Sequence, residues 1–228
     1  MSNELRYNKT VSTVAGVGIF SALAAVVSFL TSFLKISFLS IDLGDIIIVL
    51  SSYVYGPVSG IAVSLISALC SFLYSGTGFW GFLMDFISSA VFSFVAAFVY
   101  YRKKNFKFAI VGIYAAVVAV VIVMIPLNIL IVPLFSKGIT SKDVIPLIPT
   151  LLLPFNLFKA CLNGGAVLML YKPVVNALRK ARLISSGARP HKEAESKFKQ
   201  SNTSRALIIG LVTILLSAVG LIVLKLLS

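Results

Sequence analysis

"LLPFNLFKACLNGG", residues 152–165, decides how this chain is read. Apolar residues flank it on both sides, yet it holds a lysine, Lys159, between two asparagines, Asn156 and Asn163. On a helix these three stand at i, i+3 and i+7 and share one face. A charge at the centre of a membrane helix costs roughly 2.5–3.5 kcal/mol on insertion scales, so such a residue faces protein or a cavity and marks function by default. Amides carry both donors and acceptors, and the stripe therefore suits the recognition of a polar heterocycle. The competing reading is an internal polar clamp, for instance from Lys159 to Asp85.

Composition places that helix in a bilayer. Of the 228 residues, 59% are hydrophobic and only 12% charged, against about 25% charged in soluble domains. Mean hydropathy is +1.03. Seven apolar runs are marked by their breaks: 11–34, 45–55, 58–74, 82–101, 108–135, 144–172 and 206–224. Gly56-Pro57 separates the second run, short for a span, from the third. The first run has no small-residue cleavage site after a short core, so it reads as a retained helix. Cys70 and Cys161 both lie in apolar runs and imply packing, not a disulfide framework.

The net charge of +13 is unevenly spread. With the N-terminus in the cytoplasm and every run crossing, the inside segments hold Arg6, Lys9, the block Arg102–Lys107 and all basic residues from Lys172 to Arg205. The outside segments hold Lys35, Lys137, Lys142 and Lys225. Lys159 aside, that is 15 cations against four, the asymmetry expected of cytoplasmic loops. The basic blocks therefore read as topology and contact with membrane lipid headgroups. They lack a nucleic-acid-binding module, and no nucleic-acid partner is expected. Residues 1–183 are expected to form the main membrane domain, 184–205 a basic cytoplasmic linker, and 206–228 a further transmembrane helix with its C-terminus outside. The only histidine, His191, lies in the linker and is neither a metal site nor a catalytic base by itself.

Enzyme chemistry is missing. There is no H-E-x-x-H, no G-x-S-x-G, no cysteine–histidine constellation and no G-x-x-x-x-G-K-[ST] phosphate loop. The acidic residues near the membrane, Asp42, Asp45, Asp85 and Asp143, are thin for metal-assisted hydrolysis. A binding or transport role fits better, with no catalytic or metal-ligating residue expected.

The remaining polar residues have two readings each. Asn128, between Pro126 and Pro133, satisfies carbonyls that the prolines free, or faces the same cavity as Lys159. Asp85 is an interfacial residue favoured by a helix dipole, or the counter-ion of Lys159. Asp45 reads as a helix cap. Asp42, with Ile41 and Leu43, is the better candidate for a loop that folds over a pocket. Gly18 and Ala22 form a small-xxx-small pair on the first helix, extended by Ala15, Ala24 and Ala25, of the kind that lets membrane helices approach closely.

Together these stretches resemble the riboflavin-specific S components of energy-coupling factor (ECF) vitamin transporters. "LSIDLGDI" (39–46) is similar to the family's L-K-I-D-F-S-D-[VI] loop, and "YGPVSGIAV" (55–63) to its Y-G-P-x-x-G-I-x-V turn. "PLNILIVPLF" (126–135) is similar to L-N-Y-x-x-x-x-P, and "LLPFNLFKA" (152–160) to L-P-F-N-x-[IL]-K-[GA], the most specific of the four. The chain departs from the pattern at Ser64–Ala68, where the family has E-x-x-K-N, at Met84-Asp85-Phe86, where it has A-N-F, and at Ile47, where it has proline. The resemblance covers roughly residues 10–182 and implies an all-α polytopic fold of six helices, to which the run 206–224 adds a seventh. It implies capture of riboflavin or a close flavin from outside, under the loop between the first two helices. Asn128, Asn156 and Lys159 match the polar pocket positions, and Gly18 and Ala22 fall where the family contacts its transmembrane coupling protein, which works with two ATPases. Flavin would be cargo, with no cofactor. The rival readings are a stand-alone secondary carrier with Asp85 and Lys159 as a coupled pair, an S component for a different vitamin, or a membrane-embedded enzyme acting on lipid.

Overall fold

The computed structural model describes residues 2–36, 39–76, 78–135, 138, 140–180 and 201–227. Residues 184–200, which include His191, lie outside that set. Because lipid offers no hydrogen bonds, each apolar run closes its own backbone ladder as a helix. The helices are α1 (Ser2–Thr31), α2 (Gly44–Tyr55), α3 (Pro57–Phe72), α4 (Gly78–Lys103), α5 (Phe106–Phe135), the short α6 (Ser141–Val144), α7 (Leu153–Lys180, entered through a π-helical turn, Ile148–Leu152) and α8 (Ser201–Leu227). The last helix thus begins at Ser201, within the segment read as linker. Five of these helices, α1, α4, α5, α7 (with its π-helical turn) and α8, contain stretches long and apolar enough to cross a membrane.

Helix α2 does not fit that length. Its 12 residues rise only about 18 Å at 1.5 Å per residue. The shortfall is made up by where it starts. The side-chain amide of Asn163 donates to the carbonyl of Asp42 at 2.8 Å, and Asn163 lies about 15 Å along α7 at the helical rise. The chain between α1 and α2 therefore dips into the bundle before α2 begins. It carries a minimal antiparallel hairpin, β1 (Lys35–Ile36) with β2 (Leu39–Ser40). Helix α2 is buried on several sides, with Ile48, Val49 and Leu50 at most 1% exposed, and packs on α1, α3, α4 and α7. Gly56, at φ +110°, turns the chain between α2 and α3, a conformation that a side chain disfavours, and Pro57 opens α3 at the position where its missing N–H costs nothing.

Tyrosines close the end of the bundle where α2 and α4 finish. The rings of Tyr53 and Tyr100 stack at 4.7 Å, the Tyr53 hydroxyl donates to the Ala109 carbonyl at 3.1 Å, and the Tyr100 and Tyr171 hydroxyls share a hydrogen bond. At the other end, Ile36 and Leu39 of the hairpin pack with Val132, Val144, Leu151, Leu152 and Phe155. Helix α6 there is fixed by a capping box between Thr140 and Asp143. The hydroxyl and backbone N–H of Thr140 hold the Asp143 carboxyl below the usual carboxylate range.

Helix α8 runs antiparallel to α7. Gly210 meets Gly165, so closely that a Cβ on Gly210 would lie 2.8 Å from the Gly165 carbonyl oxygen, and Gly220 meets the ring of Phe158. Small residues permit this backbone approach in lipid. At its far end, Leu221 and Leu224 join the cluster that holds the hairpin.

Candidate functional site

A cavity opens beneath the hairpin, with about 1040 Å³ of empty space including its mouth. Its walls come from five helices and the dipping loop. The loop supplies Lys35, Leu39, Ser40, Ile41 and Asp42, and α1 supplies Ser28, with Ser32 just beyond the helix end. Ser71 at the end of α3 and Tyr74 and Ser75 just after it form a second wall; Gly81, Met84, Asp85 and Ser88 of α4 form a third. Met124 of α5 and Phe155, Asn156 and Lys159 of α7 complete it. Polar and charged side chains, seven of them serines or tyrosine, outnumber the apolar ones of Leu39, Ile41, Met84, Met124 and Phe155 on these walls, which suits a ligand that carries several hydrogen-bonding groups.

The sequence-predicted residues divide into two sets. Ile41, Asp42, Asp85, Asn156 and Lys159 line the cavity. Asn128, Asn163 and Leu43 do not. Asn128 is fully buried, and its Nδ2 donates to the Met124 carbonyl of its own helix at 2.7 Å. That bond answers neither carbonyl freed by Pro126 or Pro133, which belong to residues four positions before each proline. Asn163 is also fully buried. Its Nδ2 donates to the Asp42 carbonyl and, at 3.2 Å, to Asp45 Oδ2, so it braces the loop from behind. Leu43 packs against the main apolar core.

Lys159 is paired with Asp45, Nζ to Oδ2 3.8 Å, not with Asp85. Asp45 also accepts from the hydroxyl of Ser89 and from Asn163, and it caps no helix end. The N-cap position is Leu43, and the free N–H of Gly44 is met by Asp42, whose Oδ1 accepts from it and from Ser28 Oγ, both at 2.7 Å. Asp45 therefore pairs across the bundle in place of the capping role read from sequence, while Asp42 lines the cavity as read and also holds the start of α2. Asn156 Nδ2 donates to the Leu152 carbonyl at 2.8 Å, which leaves its Oδ1 for the cavity. The wall serines and Tyr74 escaped the sequence reading. The available signal was helical spacing, Ser28 with Ser32 and Ser71 with Ser75, but serines are scattered throughout this chain.

Residues 12–171 match the family described as ECF transporter, substrate-specific component. The chain belongs to this family. It is the substrate-binding membrane component of such a transporter, a multi-pass membrane protein and not an enzyme. Among its relatives, this S component is 26% identical to riboflavin transporter RibU of Staphylococcus aureus (strain TCH60), over 77% of this chain and 95% of the relative. It is 25% identical to riboflavin transporter FmnP of Bacillus subtilis (strain 168), over 64% of this chain and 83% of the relative. A solved structure described as the S component of a bacterial ECF transporter superposes with a TM-score of 0.62 at 28% identity, covering 75% of this chain and 99% of the other. That structure is matched nearly whole while a quarter of this chain is left over. Among the described residues no group of three histidine, cysteine or acidic side chains could hold a metal ion.

Proposed function

We propose that this S component captures riboflavin or a close flavin from outside the cell and delivers it by docking onto a transmembrane coupling protein driven by two ATPases. The observation that carries the substrate reading is the Asn156–Lys159 face in the wall of the cavity under the hairpin, which also presents Ile41, Met84 and Met124. Two relatives named as riboflavin transporters support the same reading. In it, Lys159 and Asn156 Oδ1 address the heterocycle, Asn128 and Asn163 act behind the wall, and Ile41 and Asp42 belong to the segment that folds over the ligand. Gly18 and Ala22 are the proposed contact with the coupling protein, since both lie exposed on α1 with nothing near a Cβ placed on Gly18.

The charge asymmetry of the loops supports a cytoplasmic N-terminus. Six crossings then return the chain to the cytoplasm, and α8, antiparallel to α7, ends outside. The test is a titration of the purified full chain with riboflavin, followed by quenching of flavin fluorescence. Saturable binding supports the reading; its absence for riboflavin and for every related flavin rejects it.

A further inference from the structure

Asp85 faces the cavity as a carboxyl group that the protein does not answer. Among the described residues it takes part in no hydrogen bond and no ion pair, although it lines the wall. The other charged groups around it are accounted for. Lys159 is held by Asp45, Asp45 is further bonded to Ser89 and Asn163, and Asp42 receives Ser28 and the Gly44 N–H on one oxygen. Lys159, Asp42 and Asp45 all lie within electrostatic reach of Asp85. Lys159 and Asp45 offset each other, so no unpaired cation faces Asp85 inside the cavity. Lys35 is the remaining cation on the wall, but its side chain is exposed, where water and salt screen it.

We propose that Asp85 makes this cavity selective for unphosphorylated flavin, an inference that rests on the flavin reading above. A carboxylate is an acceptor with several lone pairs. It answers the hydroxyls of a polyol side chain, or a ring N–H, through charge-assisted bonds, the stronger class. A phosphate ester presents about −1.5 to −2 charges at neutral pH and acceptor oxygens only. It therefore gains nothing from Asp85, and inside the wall it meets no unpaired cation to answer its charge. Selection here comes from leaving the wrong ligand's charge unpaired as much as from an attractive contact.

The experiment titrates the purified full chain with riboflavin and with FMN in parallel, then repeats both with Asp85→Asn. Because Asp85 has no partner to lose, the variant is expected to fold, and Asp85→Ser serves if it does not. The wild type is expected to bind FMN about tenfold or more weakly than riboflavin, because the cavity leaves the phosphate charge unpaired. Asp85→Asn should narrow that ratio, chiefly by strengthening FMN. Equal binding of the two flavins by the wild type overturns the inference. So does a ratio unchanged in both variants. Wild-type protein that binds neither flavin instead sinks the flavin reading itself.

Discussion

Lys159 Nζ lies 3.8 Å from Asp45 Oδ2, joining the second turn of α7 to the first turn of α2 beside the cavity. The two partners are unequally dependent on this pair. Asp45 keeps bonds from Ser89 and Asn163 if the lysine is removed, whereas Lys159 has no other acidic partner within ion-pair distance among the described residues. Removing one member of a buried pair costs about 3–5 kcal/mol when the survivor is left bare. Asp45→Asn is therefore expected to lower stability by about that amount, and Lys159→Met by distinctly less. Thermal unfolding in detergent orders the two. If Lys159→Met proves the more damaging, the carboxylate and not the lysine is the dependent partner.

The same lysine separates stability from binding. Under the proposed function, Lys159→Met should weaken riboflavin by about 1–3 kcal/mol, the loss of a bond to a charged group. Combining it with Asp45→Asn should restore part of the stability while leaving binding weak. Calorimetric titration of the double variant provides the check; recovered affinity would mean that Lys159 only clamps α2.

Asn163 should act on kinetics. It touches no cavity surface but ties the Asp42 carbonyl and the Asp45 carboxylate to α7. Asn163→Ala takes the donor from the buried Asp42 carbonyl and one of three partners from Asp45, a loss of about 1–3 kcal/mol, and frees the loop that carries Ile41 and Asp42. Faster release of flavin in stopped-flow fluorescence is expected. An unchanged release rate in a folded variant would separate this brace from the loop's motion.

How much of this was open to reading depends on what lipid imposes. Apolar runs and the Gly56-Pro57 break were legible because a bilayer forces each run to close its own hydrogen bonds. The Asn156–Lys159 face was legible because charge in lipid needs a reason. The partner of Lys159 was not, since an aspartate before an apolar run looks the same whether it caps a helix or pairs across the bundle. Only the depth at which α2 starts decides, and that depends on Asn163 reaching the loop. Asn163 shares a helical face with Asn156 but stands about 10 Å further along α7, behind the cavity. The wall serines were hidden because membrane serines commonly bond their own helix, as Ser51 and Ser64 do.

Two glycines on α1 should give opposite phenotypes. A Cβ on Gly16 would sit 2.2 Å from the Tyr55 ring, while one on Gly18 meets nothing within 4 Å. Gly16→Leu is expected to prevent folding. Gly18→Leu should fold and bind flavin but fail to support uptake by cells carrying the energising subunits, because bulk there blocks close helix approach. Normal uptake by Gly18→Leu would remove this face from the docking surface.

The last prediction concerns α8, which lies beyond the family match over residues 12–171. Its close passage on α7 at Gly165 and Gly210 depends on the absence of side chains, so Gly210→Leu should push the two helices apart. The cavity wall takes no residue from α8, and flavin affinity should survive both this change and removal of residues 201–228. Stability should not survive equally. Leu221 and Leu224 pack in the cluster that seats Ile36 and Leu39, so losing them loosens the hairpin, lowering the unfolding temperature and speeding flavin exchange at unchanged equilibrium affinity. The direction of α8 is tested separately. With Cys70 and Cys161 replaced by serine, a cysteine at Leu226, 81% exposed, should react with an impermeant thiol reagent on intact cells. Reaction only after lysis would put the C-terminus inside, and an affinity loss in a folded truncation would make α8 part of the binding fold.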